Sequence, residues 1–542
     1  MFTTFIGYGM DKILILDFGS QTTQLIGRRI RDLGVYTEII PGDFALHTEV
    51  LNTDVKGIIL SGSPESVYSS GAAPDKKIYD CGLPLLGICY GLQRMTYDLG
   101  GKVEPLPKME YGRIEVKMRS RECGTVSGDK TQKFLKGFKD SFTAWMSHGD
   151  TLTQLAPGFI EYGSSGTGYP AVAAHEEKPW FGLQFHPEAT HCEGGDEILS
   201  AFVFGVCGST AGWSMEHYVE ELNQSLKTRA GENPVLLLIS GGVDSTVAGA
   251  ALLKMLKTEQ VHLMYMDTGL MRKDETAIVR ANLEKLGAKN LHIIMCEDEF
   301  LSALKGKEEP EEKRRIIGDL FITIQEREVA RLGLPENYFL AQGTLYTDLI
   351  ESGKGVGKKA HVIKSHHNVA SPLVDAKRKA GKIIEPLDRL YKDEVRKLGR
   401  YLGVDEEIVG RHPFPGPGLA VRILGEVTKE KCGILREADA VFIEELKCRR
   451  GSTGKSLYDE IWQAFALLLP IRSVGVAGDV RKYGWVLTLR AITSADGMTA
   501  DVYPFETRDL LEISTRITNS VKEIGRVTYD ISSKPPATIE WE

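Results

Sequence analysis

Eight cysteines are scattered over 542 residues with no C-x-x-C pair and no Cys/His spacing that suits zinc. Reduced thiols are therefore expected in place of disulfides or a structural metal. No apolar run approaches the ~20 residues that span a bilayer, and Met1 to Met10 lacks the basic stretch and long apolar core of a secretory signal. Positive charge is not in excess: the net charge of −8 argues against an extended nucleic-acid surface. Internal repeats and low-complexity tracts are absent as well. These absences leave a cytoplasmic enzyme with neither membrane nor nucleic-acid partner as the expectation. With 42% hydrophobic residues the chain can bury more than one core, and its length suggests about three domains.

Also missing is the lysine of a Walker loop, G-x-x-x-x-G-K-[ST], although a phosphate loop is present. Ser240-Gly-Gly-Val-Asp-Ser245 follows the apolar run Val235 to Ile239 and precedes a helix-like stretch, Thr246 to Lys257. Backbone N–H groups of Gly241 and Gly242 can approach an anion with no Cβ in the way. The following helix points its positive end at the same spot, and Ser240, Ser245 and Thr246 add hydroxyls. Val243 and Asp244 stand in the loop where no lysine does. Mg²⁺ bridging phosphates, with Asp244 as its ligand, is the expected charge compensation.

Upstream, Leu85-Leu-Gly-Ile-Cys-Tyr-Gly91 is an apolar strand turning into a helix predicted to begin near Leu92. G-x-C-x-G follows the logic of a nucleophile elbow, in which flanking glycines clear a strained turn that lifts the nucleophile to a helix N-terminus. Thiolates, the reactive form, are favoured at such a position. Phe181-Gly-Leu-Gln-Phe-His-Pro-Glu188 is predicted to end a strand, so that His186 and Glu188, two positions apart, project to one side. Cys89, His186 and Glu188 then supply nucleophile, base and orienting carboxylate.

With these residues the chain resembles a class I glutamine amidotransferase domain followed by an ATP pyrophosphatase domain, an order similar to that of the glutamine-hydrolysing GMP synthetase family. Other stretches carry the same resemblance: Asp17 to Gln21, Trp145 to Asp150, Leu340 to Tyr346, Ile363 to Val369, His412 to Ala420, Arg472 to Val476 and Lys534 to Glu542. The proline-rich stretch from His412 and the terminal nonapeptide are the most specific. The implied fold is α/β. It comprises two open, mostly parallel sheet domains, a class I amidotransferase over 11–207 and an adenine nucleotide alpha hydrolase-like ATP pyrophosphatase over 214–421. A smaller α/β C-terminal dimerisation domain over 422–542 follows, which implies a homodimer. Ser214 reads as an N-cap for the helix that opens the second domain.

The resemblance further implies glutamine, ATP and XMP as substrates, Mg²⁺ with the ATP, no organic prosthetic group, and GMP as product. Backbone N–H groups of Ser63 and Tyr90 are the implied oxyanion donors. Many relatives carry glycine where Ser63 stands, so a positive φ there would be strained. ATP is expected at Ser240 to Thr246, with its adenine and ribose near Met266, Asp267 and Thr268, at the carboxyl end of a strand, and its phosphates near Lys364. His366 and His367 read equally as a helix-capping or packing pair. Asp348 and Glu351 fall in a stretch similar to the family's lid, with Thr347 where proline is usual and Ala370-Ser371 where a glycine pair is usual. The implied XMP ligands are Arg422, Arg472, Gln463, Lys534 and Glu540, with Pro535 and Pro536 holding the tail extended. From residues alone that tail reads as a solvated end; the resemblance reverses this.

Three other classes fit less of the chain. An NAD synthetase would keep the loop but lack this tail. A tRNA-modifying pyrophosphatase would show a basic face or paired cysteines. A catalytically silent nucleotide-binding regulator has no need of Cys89, His186, Glu188 and Asp244 together.

Overall fold

The computed structural model describes residues 10–46, 50–69, 73–119, 128–351, 372–477, 480–494 and 499–542. Lys364, His366, His367, Ala370 and Ser371, and the side chain of Glu351, lie outside the described residues. The chain forms two units, Met1–Glu221 with Tyr346–Lys364, and Leu222–Leu345 with Ser365–Glu542.

The first unit holds nine strands: β1 (Lys12–Asp17), β2 (Tyr36–Pro41), β3 (Val55–Leu60), β4 (Leu85–Ile88), β5 (Lys102–Met118), β6 (Ser141–Gln154), β7 (Phe159–Ser165), β8 (Pro170–His175) and β9 (Trp180–Leu183). Their order in the sheet is β2-β1-β3-β4-β9-β8-β7-β5-β6. The first five in that order are parallel, and the remaining pairings are antiparallel. Continuous apolar runs such as Lys12-Ile-Leu-Ile-Leu-Asp17 suit parallel strands covered on both faces. Ile13 and Ile15 enter one core with Ile26, Phe181 and Phe202, while Leu14 and Leu16 enter the other with Ile58, Leu60 and Leu85.

β4 ends at Ile88 and a helix, Tyr90–Asp98, begins at once, with Cys89 between them at φ 52° and ψ −107°. Both elbow glycines are required by close approach. A Cβ on Gly87 would lie 2.6 Å from the Gly91 carbonyl carbon, and one on Gly91 only 2.2 Å from Leu60 O. Strand β9 stops at Leu183, so the predicted strand reaching Glu188 is too long. Its last pairing is Ile88 with Leu183, and beyond the elbow β4 has no residue to offer.

In the second unit β10 (Val235–Ile239), β11 (Val261–Asp267), β12 (Asn290–Met295), β13 (Phe339–Ala341) and β14 (Ile383–Ile384) form an all-parallel sheet in the order β12-β11-β10-β13-β14. The chain leaves β10 toward β11 and β12, then returns to its other side as β13 and β14. That reversal makes a topological switch point at the carboxyl end of β10, where ligands of such sheets bind. The helix Val243–Met255 follows, buried along most of its length. Lys392–Leu402 packs on it at Gly399, where a Cβ would come within 2.8 Å of Val247 Cγ2.

The same unit carries β15 (Gln463–Ala477), β16 (Val480–Thr493), β17 (Asp501–Val502) and β18 (Ile524–Tyr529). β16 pairs antiparallel with β15 and β17 and parallel with β18. One apolar cluster runs from Met266, Phe300 and Ile317 through Leu419 and Ile423 to Leu435, Phe442, Leu487 and Ile513. The two sheets therefore share a core.

Candidate active sites

Cys89 sits at the elbow with its N–H donating to Leu183 O at 2.7 Å. Its Sγ lies 3.7 Å from Ser147 O and 3.9 Å from Gln184 Nε2. His186 is buried, its own N–H anchored on Trp145 O at 2.9 Å, and Nδ1 meets Glu188 Oε1 at 2.8 Å. The predicted relation between His186 and Glu188 holds, though through a turn and not a strand. Burial opposes a charge on His186. The Glu188 carboxylate and the Cys89 sulfur, to which the imidazole also hydrogen-bonds, outweigh it and hold the imidazolium well above the ordinary imidazole range. The three predicted residues therefore form one connected group.

Gly62 lies against the same ring, where a Cβ would stand 3.2 Å from His186 Cε1. Among the described non-glycine residues only Cys89 and Asp274 have positive φ, so Ser63 takes its place in the turn without backbone strain. Tyr90 is the first residue of the helix, where N–H groups point out of the helix end, and its ring packs on Phe18 with centroids 5.4 Å apart.

In the second unit the Ser240–Ser245 loop is closed by its own hydroxyls. Ser240 N–H donates to Ser245 Oγ at 3.2 Å, Gly242 N–H to Ser240 Oγ at 3.3 Å, and Ser245 Oγ to Gly242 O at 3.2 Å. Gly241 has φ 77°, which explains glycine there. Gly343, in the loop after β13, approaches so closely that a Cβ would lie 3.2 Å from Ser245 N. Two cations invisible to motif reading complete the loop. Arg411 donates to Gly241 O and to Glu275 Oε1, each at 2.7 Å. Lys392 Nζ reaches both oxygens of Asp244, at 2.6 and 2.5 Å. Lys392 opens its helix while Val395, Leu398 and Leu402 are buried, so amphipathic packing delivers the ammonium to the loop. Of the expected base and ribose contacts, Met266 is buried in the core, and Asp267 is engaged by Thr276 Oγ1 at 2.6 Å and Gly269 N–H at 2.9 Å.

Three of the five predicted tail-site residues converge. Arg422, fully buried, donates to both oxygens of Glu540 at 3.2 and 2.9 Å, and Gln463 Nε2 donates to Glu540 Oε1 at 2.8 Å. The Arg422 guanidinium also lies 4.1 Å from the Phe465 ring centre. Gly418 supplies the close turn that places Arg422: its φ is 65°, and a Cβ would meet Leu270 O at 2.3 Å. His412 anchors the proline-rich stretch as a neutral ring. Nε2–H donates to Tyr458 O at 2.8 Å, Nδ1 accepts from Ala464 N–H at 3.1 Å, and burial pushes the imidazole down to about 4. Arg472 is not part of the cluster. It is exposed, stacked 4.6 Å over the Trp485 ring, and about 30 Å along β15 from Gln463 at a strand's rise per residue. Lys534 forms a bridge with Ala500. Pro535 and Pro536 lie in a turn, closed by Ala537 N–H donating to Ser533 O at 3.0 Å, and not in the expected extended form; the Lys534–Pro535 and Pro535–Pro536 bonds are cis.

Three family models match the chain. Glutamine amidotransferase class-I covers residues 14–206, Asparagine synthase 217–306, and GMP synthase C terminal domain 452–541. GMP synthase [glutamine-hydrolyzing] of Aquifex aeolicus is 47% identical over 533 residues, 98% of this chain and 99% of its own length. The chain belongs to that family. The proteins of the same name from Neisseria meningitidis serogroup B and Lactobacillus acidophilus are 46% and 45% identical, each over 98% of this chain.

Within this GMP synthase family framework, the class I amidotransferase match encloses Cys89, His186 and Glu188, and the Asparagine synthase match encloses the Ser240–Ser245 loop. The C-terminal match holds Gln463 and Glu540. The lid candidates Asp348 and Glu351 fall, with Thr347, in a short helix, Tyr346–Glu351.

Proposed function

We propose that this chain makes GMP from XMP with nitrogen drawn from glutamine, using two chemical sites. The observation that carries the reading is the presence, on one chain similar along 98% of its length to a glutamine-hydrolyzing GMP synthase, of both a thiol–imidazole–carboxylate group and a lysine-free phosphate loop.

In the glutaminase site the Cys89 sulfur attacks the side-chain amide carbon. His186, charged because Glu188 supports it, gives its proton to the departing ammonia as the C–N bond breaks. Backbone N–H groups of Ser63 and Tyr90 receive the developing oxyanion. Water, deprotonated by His186, then cleaves the thioester and releases glutamate.

In the synthetase site the C2 oxygen of XMP attacks the α-phosphorus of ATP, and pyrophosphate leaves into the Ser240–Thr246 loop, with Lys364 the further phosphate candidate. Ammonia then attacks C2, and AMP departs with the original oxygen. Lys392 supplies the fixed positive charge that a Walker lysine would otherwise bring. The donor set fits Mg²⁺. Thr246 Oγ1 is buried with no hydrogen-bond partner, and the Asp244 carboxylate, which holds the Lys392 ammonium through both oxygens, would exchange that cation for the metal. One carboxylate, Asp244, beside a phosphate cradle is how Mg²⁺ is usually held. When bound there, Mg²⁺ would compensate charge on the phosphates.

Arg422, Gln463, Lys534 and Glu540 are the proposed XMP contacts, and Asp348 and Glu351 the proposed lid residues. The proposed domains remain 11–207, 214–421 and 422–542. A homodimer through the last of these is supported by the β15–β16 hairpin, where the paired Val474 and Tyr483 are exposed with Val476. Among the described residues no helix is long and apolar enough to cross a membrane, and a cytoplasmic location is part of the proposal. The test is product accounting with XMP, ATP, Mg²⁺ and glutamine. Equal molar yields of GMP, glutamate and AMP are expected; glutamate release without any GMP would overturn the choice of purine substrate.

A further inference from the structure

The tail that carries Glu540 is held by two fully buried cations, neither belonging to the loop or to the Arg422 cluster. On one side of Glu540, Arg490 donates to Ile539 O and Thr538 O at 2.8 Å each and to Ser532 O at 3.0 Å, and it pairs with Asp530. On the other side, Lys313 pairs with the Glu542 carboxylate, while the neighbouring Arg314 donates to Glu542 O. Lys313 has two further bonds, to Ala420 O at 3.3 Å and Ile423 O at 2.9 Å, the carbonyls that flank Arg422. It rises from the helix Pro310–Leu332 and is 0% exposed.

A lysine with no access to water is costly unless its charge and donors are satisfied. Here all three ammonium donors are used, and they tie together the two segments that must meet for Arg422 to touch Glu540. The short segment Gly418–Arg422 and the irregular tail have no ladder of their own to fix their register. We infer that Lys313 is a positioning residue of the purine-nucleotide site: it sets the Arg422–Glu540 pair by binding the carbonyls around Arg422 and the carboxylate two residues beyond Glu540. This inference rests on the reading of that pair as XMP contacts. It assigns Lys313 no contact with XMP, ATP or glutamine, so its removal loosens one site selectively.

The test uses the full chain with ammonium as nitrogen donor, comparing Lys313→Met, Glu542→Ala and Glu540→Gln. Lys313→Met is expected to raise KM for XMP about tenfold, with KM for ATP and basal glutamine hydrolysis within about twofold of the parent. Glu542→Ala removes the tail anchor and leaves Lys313 on its two carbonyls, so it keeps the question open to measurement if Lys313→Met does not fold; a rise of about fivefold in KM for XMP alone is expected. Unchanged KM for XMP in folded Lys313→Met or Glu542→Ala, with Glu540→Gln raising it, overturns the positioning role while leaving the site in place. Equal loss for XMP and ATP also overturns it, since that marks a general structural part. If Glu540→Gln itself leaves KM for XMP unchanged, the XMP site has been misplaced, and the inference falls with it.

Discussion

Cys89→Ala is expected to cut glutamine-driven GMP synthesis by on the order of 10⁴ or more, and to leave ammonium-driven synthesis within about twofold of the parent. The size follows from what the substitution removes. His186 and Glu188 can orient and hold a proton but cannot form the thioester, and the hydroxyl beside the imidazole, Thr22 Oγ1 at 3.4 Å from Nδ1, is already bonded to Ser20 Oγ at 2.9 Å. The selectivity follows from the fold. Cys89 lies in the first unit, while the loop, Lys392 and the Arg422–Glu540 pair lie in the second. Alanine at φ 52° retains the same unfavourable backbone geometry as cysteine, so the elbow is not relaxed and the comparison stays clean. Assaying both nitrogen donors side by side checks this. Parallel loss with ammonium would show that the thiol site and the synthetase site are not chemically separate.

Lys392→Met is expected to produce the opposite pattern. Synthesis should fall by about 10² to 10³ with either nitrogen donor, a loss typical of removing one preorganised charge from a developing anion, while basal glutamate release is maintained. Two consequences combine here. The loop loses the ammonium beside it, and Asp244 loses its partner. Methionine keeps the length and apolar stem of lysine, so packing of Val395 and Leu398 against the helix Val243–Met255 is not the variable. Rates of pyrophosphate release for the two proteins are the measurement.

The parts of this molecule that chemistry confines to a few adjacent residues were legible before any coordinates. Val235–Ile239 and its glycine loop announced a buried parallel strand and a phosphate site, and the two glycines around Cys89 announced the elbow. Each of those is a local requirement for backbone space, which residue type reports directly. Phe181–Glu188 reads as one strand reaching Glu188, but strand length is set by the partner, and nothing in those residues reveals that β4 ends at the elbow. Lys392, Arg411 and Lys313 could not be found by motif. Each acts on a segment far away in the chain, and a lysine opening an amphipathic helix is ordinarily a solvated charge. Glu540 was legible only through resemblance, since two prolines and a few charges at a chain end describe a solvated tail equally well. Folding turns that description around by placing its carboxylate on a buried arginine. Arg472 shows the converse: resemblance named it, and the strand carries it away from the cluster.

The central claim is that one chain both frees the amide nitrogen of glutamine and activates the C2 oxygen of XMP by adenylation. Its most direct test is a double-label experiment, with heavy nitrogen in the glutamine amide and heavy oxygen at C2 of XMP, read by mass spectrometry of all products. The account predicts heavy nitrogen in GMP and heavy oxygen in AMP. Heavy oxygen in pyrophosphate, in orthophosphate or in water, with none in AMP, would contradict it.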